Sequence, residues 1–141
     1  MRGTNTQRIG TGLRRLGILL AALLGPAACG PPHYRFPPPL APASGYVEEG
    51  TASWYGPGYQ GKRTSSGEAF EQDDLTAAHP SFAFGTRLKV TLVSTGKSVV
   101  VRVNDRFPAH KGRIIDLSRG AARAIGLIGP GTGRVRVEVV G

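Results

Sequence analysis

The residues able to do chemistry are few. They are Glu68, His79, Asp105 and Asp116, with the aromatics Trp54, Tyr55 and Tyr59. Asp105 stands in "VVVRVNDRFPAH", residues 99–110, where a Val-rich run ends in Asn104, Asp105 and Arg106 and Pro108 closes the exit. An acid at the end of a buried strand is suited to proton donation, because desolvation favours the neutral carboxyl group. Cleavage of a glycosidic bond needs such a group facing the leaving oxygen. Hydrolysis with inversion needs a second carboxylate ~6.5–9.5 Å away to activate water; attack by a hydroxyl of the sugar itself depends on it less. Asn-Asp before Arg and Pro is also ordinary turn chemistry. The residues alone therefore leave Asp105 as either an acid or a turn former.

The other candidates each have a plainer reading. Glu68 follows "SSG" in a polar loop, where a solvated charge is common. His79 lies between "LTAA" and Pro80 and suits a structural role. Asp116, in "RIIDLS", lies just before an expected helix, and capping or a dipole interaction is its expected task. Trp54, Tyr55 and Tyr59 could stack on sugar rings or fill a core. Strand alternation puts Trp54 and Tyr55 on opposite faces, so one of the two should be exposed. No Cys/His cluster exists to build a structural zinc site. Neither a phosphate-cradling loop nor a nucleophile elbow is present.

These residues need elements to hold them. "TASWY" at 51–55 is rich in β-formers. "TRLKVTLV" at 86–93 alternates, with Leu88, Val90 and Leu92 on one face. The turn "STGK" and the run "SVVVRV" at 98–103 complete a hairpin. "GRIIDL" gives another short strand. "GRVRVEVV" alternates again, with Val135, Val137 and Val139 inward. One helix is expected in "SRGAARAIG", with Ser118 as N-cap, Gly126 as C-cap and Ala121, Ala124 and Ile125 as its apolar stripe. Its small residues imply close packing. With 21 Gly and 11 Pro, turns and short elements are favoured over long helices. Several short strands and one helix suggest a compact all-β barrel.

The start of the chain reads as an address. Arg2, Arg8, Arg14 and Arg15 precede or flank the nine-residue apolar run "LGILLAALL", and no acid occurs among residues 1–28. A membrane-spanning helix needs ~20 apolar residues, so this run fits a secretory signal instead. The Arg14-Arg15 pair leaves twin-arginine export open beside the ordinary route. "GPAAC" ends at Cys29, the single cysteine, and resembles a lipobox with Pro26 where an aliphatic residue is usual. Lipidation of Cys29, and with it membrane attachment, is expected; ordinary cleavage is the alternative. Six prolines in residues 30–44 make an extended spacer, so the linker covers 29–45 and the folded domain 46–141. About 96 residues suffice for one small core. The chain has 18 basic and 9 acidic residues; without the four arginines of the signal, 14 basic residues remain and the net charge is +5. That suits an anionic partner such as a wall polymer, or plain solubility. Nucleic acid is not expected as a partner of an exported chain without a basic helix.

Three blocks, "GTASWYGPGYQGKRTSSGEAF", "LTAAHPSFAFGTRLKVT" and "VVVRVNDRFPAHKGRIIDLSRGAARAIG", resemble the rare lipoprotein A family in order and spacing, over nearly all of residues 50–141. The resemblance implies a six-stranded double-psi β-barrel, the fold of expansins, barwin-like proteins and family-45 endoglucanases. It implies an endolytic lytic transglycosylase of the cell envelope, a lyase without cofactor or metal. Such enzymes cut the β-1,4 bond between N-acetylmuramic acid and N-acetylglucosamine in peptidoglycan glycan strands, whether peptide-bearing or stripped. The muramyl C6 hydroxyl attacks and leaves a 1,6-anhydro end. The Asp of "VNDR", here Asp105, resembles the general acid, with Glu68 and His79 as its active-site partners. Asn104 and Arg106 would hold the loop or contact sugar, and Pro108 would keep the carboxyl group aimed. The family usually has Gly-Pro after "NDR"; here Phe107 precedes Pro108, and a different loop or an added stacking surface is expected. The chain stops at Gly141 without a SPOR domain, so septal targeting is not carried over, and a monomer is expected. A non-catalytic, expansin-like module that binds wall polysaccharide is the competing reading, and a protein-interaction lipoprotein a weaker third.

Overall fold

The computed structural model of the protein describes residues 42–108 and 110–141. The expectations for residues 1–28, for Cys29 and for most of the spacer lie outside the described residues.

Six strands and one helix follow in order: β1 (Val47–Trp54), β2 (Thr76–Ala78), β3 (Arg87–Leu92), β4 (Ser98–Asp105), β5 (Arg113–Leu117), α1 (Arg119–Ile125) and β6 (Gly133–Val139). They close into a barrel in the order β1-β5-β2-β4-β3-β6. β1 runs parallel to β5, and β2 parallel to β4; the other pairs are antiparallel. This is the expected double-psi β-barrel, all-β with one small helix.

Period-2 alternation builds the interior. Leu88, Val90 and Leu92 on β3, Val101 and Val103 on β4, and Val135, Val137 and Val139 on β6 all point into the core. Burying each such side chain is worth about 1.5–3 kcal/mol. The β3–β4 hairpin turns at Gly96, whose φ of 75° a side-chain-bearing residue adopts only at a cost. The helix is capped as its sequence requires. Ser118 Oγ accepts the Ala121 N–H, and Gly126 ends α1 in the left-handed conformation. Close packing is real: a Cβ on Gly120 would lie 2.3 Å from the Asp73 carbonyl oxygen.

Two expectations need correction, and one strand had no mark in the sequence. The helix buries Ala121, Ala122 and Ile125, and Ala124 faces solvent. The true stripe follows the face pressed onto the barrel, which small residues alone do not mark. β1 begins at Val47 and β4 runs on to Asp105, because each finds a partner strand for those added residues. The sixth strand, β2, is three residues long and buried throughout, so it carries no alternation to read.

Candidate active site

A slip in strand register creates the site. Ala77 of β2 pairs with Val103 of β4, but Ala78 pairs with Asp105, so Asn104 is the extra residue of a bulge. Asn104 is 2% exposed and follows buried Val103, which breaks the alternation of β4 and re-aims the next side chain. On its other edge Ala78 pairs with Asp116 of β5, and Asp116 pairs with Ser53 of β1. Ser53, Asp116, Ala78 and Asp105 thus form one row across four strands. Ile115 and Leu117 flank Asp116 and lie in the core, so the row faces outward. A cleft of about 240 Å³ opens above it, with Asp105, Asp116 and Ala78 among its lining residues.

Asp105 is half-buried rather than deeply desolvated, and donors define its two oxygens. Oδ1 accepts the Ser65 N–H at 2.9 Å, the Ser65 hydroxyl at 2.8 Å and the Arg106 N–H at 2.8 Å. Among the described residues Oδ2 has only the long contact to the Tyr55 hydroxyl, at 3.4 Å. The Tyr55 ring stacks on buried Phe70, with centroids 4.6 Å apart. Burial, followed by the charge of Asp105, pushes the Tyr55 phenol far above its usual range, so it stays protonated. Burial lowers the Arg106 value, against the opposing pull of Asp105.

Glu68 stands beside the bulge. Its carboxylate accepts from Asn104 Nδ2 and pairs with the Arg102 guanidinium at 3.0 Å. The Asn104 hydrogen bond, helped by Arg102, lowers its pKa against the effect of burial. Gly67, with φ of 94°, makes the tight turn that brings residues 64–68 against β4, and the Ser66 N–H bonds to the Asn104 carbonyl at 3.1 Å.

His79 is 4% exposed, and its ring is not part of the cleft wall. Nδ1 accepts the N–H groups of Ser81 and Phe82, at 3.2 and 3.0 Å, which leaves the ring proton on Nε2, facing Glu48 at 2.9 Å. Its backbone does reach the site: the His79 N–H donates to the Asp105 carbonyl at 3.1 Å, and its carbonyl accepts from Arg106 at 3.2 Å.

Of the expected aromatic platform, Tyr55 and Tyr59 line the cleft. Trp54 pairs with Leu117 and packs against the core. Neither Trp54 nor Tyr55 is exposed, contrary to expectation: the core half-covers the first, and Phe70 and Tyr59 half-cover the second. Arg106 and Phe107 line the cleft, and Asn104 lies beneath it as the bulged residue. The Arg113 guanidinium sits 5.0 Å over the Phe107 ring. Asp116 does not cap the helix, since Ser118 does; it accepts from Ser53 Oγ and from Arg113. Ser65, Ser53 and Arg113 were not singled out by sequence, because only the strand register and the docked loop bring them to the carboxylates. Among the described residues no three His, Cys, Asp or Glu side chains gather as metal ligands would.

Residues 47–138 match the sequence profile of a family described as lytic transglycolase. The probable endolytic peptidoglycan transglycosylase RlpA of Synechocystis sp. is 57% identical over 94 residues, covering 67% of this chain and 29% of that protein. The endolytic peptidoglycan transglycosylase RlpA of Campylobacter jejuni is 52% identical over 103 residues, or 73% of this chain and 38% of that one. The chain thus spans 29% and 38% of the length of these two curated relatives. Among solved structures the barrel resembles the expansin of Clavibacter michiganensis, free (TM-score 0.56, 29% identity) and as an Asp-to-Asn mutant in complex with cellohexaose (TM-score 0.55, 26% identity). Each comparison covers 68% of this chain and 51% of the expansin. A profile match over residues 47–138 takes in well over half of the sequence, and the protein belongs to the lytic transglycolase family.

Proposed function

We propose that this domain is a lytic transglycosylase of peptidoglycan. It cuts the glycan strand between N-acetylmuramic acid and N-acetylglucosamine, and the muramyl C6 hydroxyl displaces the leaving sugar to give a 1,6-anhydro end. Asp105 is the general acid. The observation that carries this role is the inequality of its two oxygens. Three donors occupy Oδ1, so a proton on this carboxyl group sits on Oδ2, beside Tyr55. The names of the relatives support peptidoglycan as the substrate and transglycosylation as the reaction.

The remaining residues act through Asp105 or on the sugar. Glu68, ionised, holds the Asn104 bulge that aims Asp105. The His79 backbone holds the Asp105 carbonyl and the Arg106 guanidinium. Tyr59, Phe107 and the open edge of Tyr55 form the walls on which sugar rings stack, and Arg106 offers a cation to the substrate. Residues 1–28 direct export, and a lipid on Cys29 ties the domain to a membrane through the Pro-rich spacer.

Mass spectrometry of purified glycan strands after incubation with the protein tests this reading. Products with 1,6-anhydromuramic ends are expected. Reducing ends would mean hydrolysis. The likeness to an expansin solved with cellohexaose favours one other reading, a glycan-binding module. Retained binding to sacculi without any product would support that reading instead.

A further inference from the structure

We propose that the outer face of β3 and β6 is a docking surface for anionic lipid headgroups, which seats the barrel on a membrane with its cleft turned away from the bilayer. This rests on the reading of a wall enzyme tied to a membrane, and adds which side of the domain meets the lipid.

Barrel closure sets the two sides back to back. In the order β1-β5-β2-β4-β3-β6, the strands across the barrel from β5 and β2 are β3 and β6. β5 and β2 carry Asp116 and Ala78, the middle of the cleft row. On the opposite strands Leu88, Val90, Val135 and Val137 fill the core, so Arg87, Lys89, Arg134 and Arg136 point outward, and all four are exposed. Register sets Arg87 directly opposite Arg102 of β4, Lys89 between Val100 and Glu138, and Arg136 opposite Glu49.

This face carries charge that the barrel does not neutralise. Like charges directly opposite on neighbouring strands repel. Glu68 pairs with Arg102 at 3.0 Å, Glu49 with Arg134 at 3.0 Å and Glu138 with Arg136 at 3.2 Å. Among the described residues no carboxylate stands within ion-pair distance of Arg87 or Lys89. Val47, Val100 and Val140, beside these charges, are 37%, 37% and 40% exposed. Cations interleaved with apolar side chains suit a headgroup layer, where attraction to anionic lipid adds to the burial of apolar surface. The side of a closed barrel is convex and rests on a plane; a single glycan chain is held in a concave site such as the cleft.

The tether joins on the same side. The Gly45 N–H donates to the Val139 carbonyl at 2.8 Å, and the Val140 N–H to the Arg87 carbonyl at 2.9 Å, so the chain enters the barrel beside the end of β6 and the start of β3. A lipid on Cys29 would hold this side near the bilayer and leave the cleft open toward the wall.

Trace acetylation of the protein as processed in the envelope, reconstituted on vesicles and read lysine by lysine with mass spectrometry, tests the orientation. The vesicles are phosphatidylcholine with about one phosphatidylglycerol in four, and phosphatidylcholine alone is the control. Lys89 reports the docked face, and Lys62, exposed beside Tyr59 of the cleft, reports the other side. On the anionic vesicles Lys89 should react roughly fivefold more slowly than on the neutral ones, with Lys62 unchanged. About 1 M salt, where the Debye length is ~3 Å, should abolish the difference. Arg87→Gln should lower the ratio of docked to free domain roughly fivefold, while cleavage of soluble glycan strands stays within about twofold of the unaltered protein. Equal reactivity of Lys89 on the two kinds of vesicle overturns the inference. So does protection of Lys89 by purified sacculi and not by vesicles, which would give the face to a wall polymer. Flotation of the vesicles in high salt reads the anchor separately: protein that stays bound while Lys89 reacts freely at low salt is anchored without being oriented, and protein that is released carries no lipid, its Lys89 protection at low salt still deciding the face. Anhydro ends on glycan strands test the transglycosylase reading independently of either result.

Discussion

Ser65 gives both its backbone N–H and its hydroxyl to a single oxygen of Asp105, at 2.9 and 2.8 Å. The two residues are 40 positions apart, and the turn at Gly67 brings them together. This contact, with the Arg106 N–H, fixes which oxygen remains for a substrate. Ser65→Ala removes the hydroxyl and keeps the N–H. A hydrogen bond to a charged group is worth about 1.5–3 kcal/mol, part of which the remaining donors recover. Turnover should fall roughly tenfold with KM little changed, and thermal unfolding should move by less than a few degrees. Steady-state kinetics on defined strands checks the first, and calorimetry the second.

Glu68 predicts a pH dependence of stability. Its folded pKa is depressed, first by the Asn104 hydrogen bond and then by Arg102. A depressed carboxylate stabilises the fold above its unfolded value, about 4.3, and that stabilisation is lost as pH falls through the folded value. Glu68→Gln should therefore melt below the unaltered protein at pH 6, and the difference should shrink as pH is taken below about 4. The carboxylate is 39% exposed, so the effect is small. Melting curves from pH 3 to pH 7 would show it.

His79 should matter more to the fold than to the bond-breaking step. His79→Ala strands two backbone N–H groups and a carboxylate that the ring now satisfies. An unsatisfied buried group costs about 1–3 kcal/mol, and 1 kcal/mol moves the melting point of a domain this size by about 4–8 °C. A fall of roughly 10 °C or more is expected. Activity should fall with it, because the same turn holds the Asp105 carbonyl and the Arg106 guanidinium.

Phe107 is predicted to act in binding. It lines the cleft under Arg113. Phe107→Ala should raise KM several-fold and leave kcat within about threefold. Loss of the cation–π contact, about 0.5–1 kcal/mol, should barely change stability. Isothermal titration with short glycan strands would separate this from a loss of folding.

The alternating strands β3, β4 and β6 and the helix with its two caps were legible in the sequence, because local spacing and cap chemistry determine them. Asp105 was legible as an acid at a strand end. The rest depends on register. β2 carries only "TAA", with no period to read, yet Ala78 is the residue that sets Asp105 and Asp116 on one row. The Asn104 bulge exists only against that partner strand. Asp116 was expected to cap the helix or meet its dipole because it lies just before α1; the strand pairing gives it Ser53 and Arg113 instead. Trp54 and Tyr55 were expected on opposite faces, which holds, but the cover that Phe70 and Tyr59 give Tyr55 comes from loops whose docking no local pattern marks.

The central claim is that Asp105 donates the proton. Asp105→Asn keeps an acceptor for Ser65 and Arg106 and removes the acidic proton. Digests of purified strands by the two proteins, analysed side by side by mass spectrometry, test it directly, with co-sedimentation on sacculi run in parallel. The account predicts anhydromuramic ends from the unaltered protein, about 10²–10⁴-fold fewer from the variant, and equal binding. Anhydro ends released by the variant at the unaltered rate would contradict it.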